Sequence, residues 1–380
     1  IGAYGKAKQV IDVLSSKNPS EFDSEKKDAL SIAALLHDLG HSPFSHQIEP
    51  ILIELFDKNH NKVTSDYAAR YFTKLIEEKN INSKLVMDLL EKKHPMHIIC
   101  NDMPLGIDKL DYIERDSYYL HIKGTPSIEK IISHLVYVDG KLGIEEKGIS
   151  EVINLMNHYF KLHNEAYLCK PSLINQRMLQ RAVQESIDFK DFDPREMWDM
   201  TDSDLIAKLK SSTSKIAREL YGNIEDGINF LYKSSVVMKI EGHENVEKID
   251  NKSIAVFGVN SHLVNSFTSK YKNPLSLKNV EDSCAEMLGL SEGDVLIGTV
   301  SYFGRLEPPD VNILMPGTEK FYSLFETHEE ESKTLQRMYK DAFAIRIVTK
   351  PEYRTRVFEA ATEIRDLIIS EINNNCNGKD

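Results

Sequence analysis

The sequence predicts a mainly α-helical protein whose C-terminal region mixes helices with short strands. Two observations carry that class. From Ile1 to about Phe189, apolar residues recur at three- and four-residue spacing, the period of one helix face. From about Ser234 the pattern changes to alternation at period two. SSVVMKIEG, KSIAVFGVN, DVLIGTVSYF, DVNILMP and FAIRIVTK all predict strands. Within the helical half, Asp139-Gly140 between the β-rich flanks of LVYVDGKLGIEE predicts one hairpin. These patterns divide the chain into a helical core over residues 1–190 and an α+β region over residues 191–380, in which helices are followed by strands and a final helix.

The elements follow in order. In SEKKDALSIAALLHDLG, Ser24 is the expected cap, and Ala29, Leu30, Ala33 and Leu36 make the apolar face. Gly40 is the expected stop, which puts His37 and Asp38 on the last turn. A second helix is expected from Ser45 through HQIEPILIELF, with Pro50 bending it or delaying its start. His60 reads as a loop residue. A further helix runs through GIDKLDYIERDSYYLHI, and helices resume from about Ser150 to Gln184. DFDPREMWDMTDSDLIAKL reads as a loop and then a short helix capped by Thr201 or Ser203. A final helix is expected from Pro351 to Asn373, with Pro351 in its first turn, and the tail NNNCNGKD is expected to be disordered. No internal repeat is found.

The 380 residues carry a formal charge of -12, which argues against nonspecific nucleic-acid binding as the main task. One basic stretch, RIVTKPEYRTR, reads as a solvated strand-to-helix edge. No run of eighteen apolar residues exists, so no membrane partner is expected. No signal peptide is visible, although the chain opens at Ile1 rather than Met and a targeting segment could precede it. Cys100, Cys169, Cys284 and Cys376 are far apart with no C-x-x-C, which argues against zinc ribbons and redox pairs and points to a reducing, cytoplasmic location.

The densest chemistry lies in HDLGHSPFSH, His37 to His46. Successive residues on a regular helix diverge by about 100°. At a helix end the backbone can relax so that His37 and Asp38 both reach one ion. The bland alternative is helix punctuation, with His41 and His46 as caps. Glu49 follows His46 by three residues and can orient its imidazole. In the second segment, Asp108, Tyr112 and Asp116 share one helix face, Lys109 lies beside Asp108, and Asp111 with Arg115 makes an i, i+4 ion pair.

HDLGHSPFSH followed about seventy residues later by DKLDYIERDSYY resembles the HD-domain deoxynucleoside triphosphate triphosphohydrolases. The resemblance covers roughly residues 1–182 and extends more weakly beyond. It implies a helical HD-domain core holding one divalent metal ion through a first histidine, the His-Asp pair and a distant aspartate. Here these are His37, Asp38 and Asp108. The first histidine belongs to a His-Ser, small apolar, Gly motif, and IGAYGKAKQV places it just before Ile1. The donor types suit Mn, Mg, Fe or Zn and do not choose among them. The implied reaction is water attack at the α-phosphorus, releasing deoxynucleoside and tripolyphosphate. The resemblance gives His41 and His46, with Glu49 as acidic partner, the catalytic and phosphate-contacting roles. It gives Lys109 to the phosphates and Tyr112 and Asp116 to the sugar, Asp116 through the 3′-hydroxyl. Tyr167 matches a tyrosine that packs on the deoxyribose, although a core aromatic serves that position equally well. A homo-oligomer is also implied.

Two positions depart from the family pattern. Thr64 or Ser65 stands where a further catalytic His-Glu pair is usual, with His60 nearby but out of register. Tyr159, beside His158, stands where a phosphate-binding arginine is usual. Loss of a general acid/base costs about 100- to 10,000-fold, and loss of a bidentate arginine weakens triphosphate recognition. Two alternatives therefore stand beside deoxynucleotide triphosphate hydrolysis. One is an HD phosphohydrolase acting on another nucleotide, such as a monophosphate. The other is a nucleotide-binding oligomeric module with little turnover.

Overall fold

The structure is a computed structural model and describes residues 1–102, 104–240, 253–298, 308–318 and 320–374. Helices come first: α1 (Gly2–Lys17), α2 (Ser24–Leu36), α3 (Glu49–Phe56), α4 (His60–Tyr67), α5 (Thr73–Glu78), α6 (Ser83–Leu90), α7 (His97–Asn101), α8 (Ile107–Tyr119) and α9 (Ile128–His134). A hairpin, β1 (Leu135–Val138) and β2 (Lys141–Glu145), precedes α10 (Ile149–Leu162), α11 (Lys170–Asp188), α12 (Asp202–Lys210) and α13 (Lys215–Glu225). Next are β3 (Lys233–Ile240), β4 (Ala255–Val259), α14 (Ser261–Lys270), α15 (Leu277–Met287) and β5 (Val295–Gly298). The chain continues through β6 (Asn312–Leu314), β7 (Phe321–Ser323), α16 (Leu324–Thr327) and α17 (Glu329–Ala342). It ends with β8 (Ile345–Thr349), α18 (Arg354–Glu359) and α19 (Ala361–Asn374). The expected class, a mainly helical core followed by an α+β region, is the observed one.

The chain folds as two compact units. The first comprises Ile1–His41, Lys58–Ala166 and Glu307–Tyr339. Its centre is α1, which packs on α2 and α8; Ala7, Val10, Ile11 and Leu14 of α1, Leu30 of α2, and Leu110 and Ile113 of α8 are all buried. Its sheet has the order β1-β2-β6-β7, with β2 and β6 parallel and the other pairs antiparallel. The hairpin forms where expected: Asp139 (φ 50°) and Gly140 (φ 76°) both take the left-handed conformation of a tight two-residue turn. β7 has three residues, too few for alternation to announce it.

The second unit comprises Ser42–Asp57, Tyr167–Leu306 and Lys340–Asp380. Here α11 packs on α13 over a core of Ile48, Ile51, Leu52, Met178, Val183 and Leu205. Its sheet has the order β4-β3-β8-β5, with β3 and β4 parallel. A largely buried ion network ties α11 to α15, with Asp282 at its half-buried edge. Arg177 grips Glu281 through two bonds of 2.7 Å, and Arg181 reaches Glu281, Asp282 and Glu185.

Several local expectations are corrected. Asp23, not Ser24, caps α2, because its carboxylate accepts the Lys26 N–H at 2.8 Å. Of the two outcomes Pro50 allowed for the second helix, bending or a late start, the late start is the one observed. Phe44 and Ser45 take left-handed φ (55° and 46°), a single 3₁₀ turn covers Ser45–Gln47, and α3 begins at Glu49 with Pro50 as its second residue. Thr201 does cap α12, through a reciprocal box with Asp204. The final helix is two helices: α18 packs on β3 and β8, α19 packs on α14 and α15, and the chain breaks at Ala360 to serve both. The basic stretch is less solvated than expected, since Lys350 is paired with Asp294 at 2.8 Å and also with Glu219. The expected disordered tail lies outside the described residues except for its first two positions, which end α19. No helix among the described residues is long and apolar enough to cross a membrane.

Candidate active site

α2 ends at Leu36, and His37 is its C-terminal flanking residue. The His37 Nδ1–H donates to the Ala34 carbonyl at 2.9 Å. That bond fixes the ring and leaves Nε2 to face the site. Nε2 lies 3.1 Å from Asp38 Oδ2 and 3.2 Å from Asp108 Oδ1. Asp108 is the second residue of α8, so the opening turn of one helix meets the closing turn of another.

The donor set tests well as a metal site. His37 Nε2 is buried and makes no well-directed hydrogen bond among the described residues, although two carboxylate oxygens are within reach. Ligand atoms in neighbouring positions about 2.1 Å from one ion lie about 3 Å apart, which is the separation seen here. His37, Asp38 and Asp108 together form a group able to hold a divalent ion.

The electrostatics agree. Burial alone would lower the His37 imidazole, but Asp108 and Asp38 outweigh it and push it up to about 10 in the metal-free protein. Burial alone would raise the Asp38 carboxyl, yet His37 and His41 hold it well below the usual carboxylate range. A metal ion must displace the His37 proton. With the folded pKa raised, this group's contribution to metal-free stability is fully present below about pH 6.5 and disappears as pH rises through about 10. The urea midpoint of the metal-free protein is therefore expected to fall across that window in the wild type and to fall less in His37→Gln. Metal affinity is expected to rise across the same window, and titration calorimetry at several pH values measures it.

The remaining expected residues are placed as follows. His41 Nε2 lies 3.4 Å from Asp38 Oδ1. In the second unit, the His46 Nδ1–H donates to Glu49 Oε2 at 3.0 Å, and Glu49 is buried, which is the orienting contact the spacing suggested. Along α8, the Lys109 ammonium donates to the Tyr112 hydroxyl at 2.7 Å and stands 4.4 Å from the centroid of the Tyr159 ring. Tyr159, where the family pattern has an arginine, is thus an aromatic face for Lys109. Its neighbour His158 is a buried structural histidine bonded to Ser117 at 2.7 Å, and burial lowers its pKa. Asp116 lies two turns beyond Asp108 on α8, and Asp111 pairs with Arg115 at 2.8 Å as expected. Tyr167 is the last residue of a π-helical turn, His163–Tyr167, and belongs to the second unit.

His60 and Thr64 take roles that differ from the expected ones. His60 is not in a loop: Asn59 caps α4 by accepting the Lys62 N–H, and His60 is the first helical residue. Its ring stacks on His41 with centroids 4.2 Å apart and planes 20° apart. Thr64, one turn further, hydrogen-bonds to both His37 and Gly40. The signal was present in Asn59, a strong cap residue, which would have put His60 and Thr64 on one helix face. Gly40 is also reassigned. It takes no left-handed φ and so is not a glycine stop; a Cβ there would lie 2.3 Å from the His60 carbonyl oxygen and the Thr64 nitrogen.

A helical unit in which adjacent His and Asp at one helix end meet an Asp from another helix defines an HD-superfamily phosphohydrolase fold with a candidate divalent-metal centre. Comparison with known proteins agrees. The HD domain model matches residues 8–132, and the HD associated region model matches residues 127–375. The chain belongs to the family of HD-domain proteins that carry the HD associated region. The deoxynucleoside triphosphate triphosphohydrolase SAMHD1 homolog of Dictyostelium discoideum is 22% identical over 308 residues, covering 72% of this chain and 59% of that one. Human deoxynucleoside triphosphate triphosphohydrolase SAMHD1 is 25% identical over 220 residues, covering 47% and 35%. The chain spans about half the length of the curated relatives it matches. A phosphohydrolase from Bacteroides thetaiotaomicron has the same fold, with a TM-score of 0.63 over 92% of this chain and 86% of that one, at 19% identity.

Proposed function

We propose that this protein is a divalent-metal-dependent phosphohydrolase acting on a nucleotide phosphate ester. The observation that carries the proposal is the buried His37 Nε2 facing the Asp38 and Asp108 carboxylates at 3.1 and 3.2 Å. His37, Asp38 and Asp108 hold the ion. A bound divalent ion supplies a water of lowered pKa and polarises a phosphoryl oxygen. His41, stacked on His60, and His46, oriented by Glu49, are the candidates to move protons and contact phosphate. Lys109 supplies positive charge to the phosphate, and Tyr112 and Asp116 lie along the same helix to meet the sugar.

Hydrolysis of deoxynucleoside triphosphates to deoxynucleoside and tripolyphosphate is the narrower reading. The Asp108, Lys109, Tyr112, Asp116 series on α8 and the names of the Dictyostelium and human relatives favour it. Tyr159 in place of an arginine favours a substrate with fewer phosphates. The test incubates the full-length protein with Mn²⁺ and each of the four dNTPs, singly and mixed, and then with nucleoside monophosphates. Ion exchange resolves the products. Tripolyphosphate with deoxynucleoside supports the narrower reading, and inorganic phosphate from monophosphates alone supports the second. No product from any substrate overturns the enzymatic reading. The resemblance also proposes a homo-oligomer, which light scattering with and without nucleotide measures.

A further inference from the structure

We propose that Thr64 is a positioning residue for the metal centre: its hydroxyl clamps the His37–Gly40 turn so that His37 and Asp38 present their side chains to one point. The proposal rests on the metal-centre reading above. Thr64 is fully buried, at 1% exposure. Its Oγ1 accepts the Gly40 N–H at 2.9 Å and donates to the His37 carbonyl at 3.0 Å. These two groups bracket the turn that carries the His-Asp pair.

The need for a clamp follows from helix geometry. On a regular helix the His37 and Asp38 side chains diverge by about 100°. Nε2 and Oδ2 nonetheless lie 3.1 Å apart, where α2 gives way after Leu36 to a turn over His37–Gly40. Such a turn leaves backbone groups without intrahelical partners. A glycine in the left-handed conformation usually solves this, but Gly40 does not take it. Thr64, from a different helix, supplies the missing donor and acceptor instead. Gly40 contributes by having no side chain, which lets the α4 backbone come close enough for the hydroxyl to reach. Because Asn59 fixes the start of α4, the same helix brings His60 onto His41 one turn before Thr64. One side chain thus couples the placement of the metal pair to that of the stacked histidines.

A hydroxyl is both donor and acceptor. Thr64→Val keeps the shape and removes both functions, while Thr64→Ser keeps both. The test measures Mn²⁺ affinity of the full-length protein by titration calorimetry at 25 °C, together with the melting temperature of the metal-free protein. Thr64→Val is expected to weaken Mn²⁺ binding about tenfold or more, the range for residues that orient metal ligands. Thr64→Ser is expected to retain most of the wild-type affinity. A merely structural threonine would lower the melting temperature of Thr64→Val and leave the Mn²⁺ affinity of the folded protein unchanged, and that result overturns the proposal. If Thr64→Val does not fold at 25 °C, Thr64→Ala is read in its place by the same criteria. Absence of Mn²⁺ binding by the wild type overturns the metal-centre reading itself, and with it this proposal. Unchanged affinity in the variant beside a binding wild type overturns the clamp alone.

Discussion

Asp108→Ala is expected to reduce turnover to background, a loss of at least about 1,000-fold, the upper scale on which single electrostatic groups act in active sites. The variant removes one of two carboxylates facing His37 Nε2 and leaves an acidic donor only from Asp38. Two carboxylates neutralise a divalent ion and one does not, so affinity should fall as well as rate. Binding shows this independently of activity. At a Mn²⁺ concentration of about 100 times Kd, the wild type gains about 2.7 kcal/mol of unfolding free energy. Asp108→Ala should show almost none of that gain in paired urea titrations with and without Mn²⁺. Asp108→Asn keeps the shape and removes the charge, and it should behave like the alanine variant. Wild-type rates in either variant would show that the ligand assignment is wrong.

Glu281→Ala is expected to produce the largest loss of stability, about 3–5 kcal/mol, the cost of breaking a buried ion pair from one side. Glu281 is completely buried and serves three partners. It receives two bonds from Arg177 and one from Arg181, and it also accepts the Ile297 N–H of β5 at 2.8 Å. Removing it leaves the buried Arg177 guanidinium with the Pro274 carbonyl in place of a carboxylate, takes one of three carboxylates from Arg181, and strands a strand amide. Burial opposes the charge on Arg181, but Glu281, Asp282 and Glu185 keep it protonated, so the cation cannot simply neutralise. Urea denaturation measures the loss. The exposed Glu329–Lys333 pair on α17 is the control, and Glu329→Ala should leave the midpoint unchanged. A Glu281→Ala protein as stable as the wild type would mean that the network relaxes or admits water.

The helical half was legible because its apolar residues keep a 3.6-residue period over long stretches, and the β1–β2 hairpin because Asp139-Gly140 carries its own turn geometry. The His37, Asp38 and Asp108 centre was legible as a pairing of two distant motifs. Errors fell where a side chain serves a partner far along the chain. Gly40 was read as a local stop, but its role is set by the His60 and Thr64 backbone. Thr64 was read as the loss of a catalytic group, and the structure gives it hydrogen bonds to the turn that carries His37. His60 reads locally as a loop residue, but Asn59 caps α4 just before it. Glu281 is not singled out in LKNVEDSCAEM, where nothing local distinguishes it from Asp282 or Glu286.

The sequence by itself determined the fold class, the existence of the two site segments and the donor types of the candidate metal cluster. Periodicity, turn chemistry and side-chain identity are local properties that neighbours in the chain can express. Only the tertiary structure decided which partners the side chains meet: Thr64 for the His37 turn, His60 for His41, Tyr159 for Lys109, Glu281 for two arginines. Each of these depends on hydrogen bonds and desolvation between residues brought close by folding, and their energies arise when water is excluded around groups that are distant in the chain.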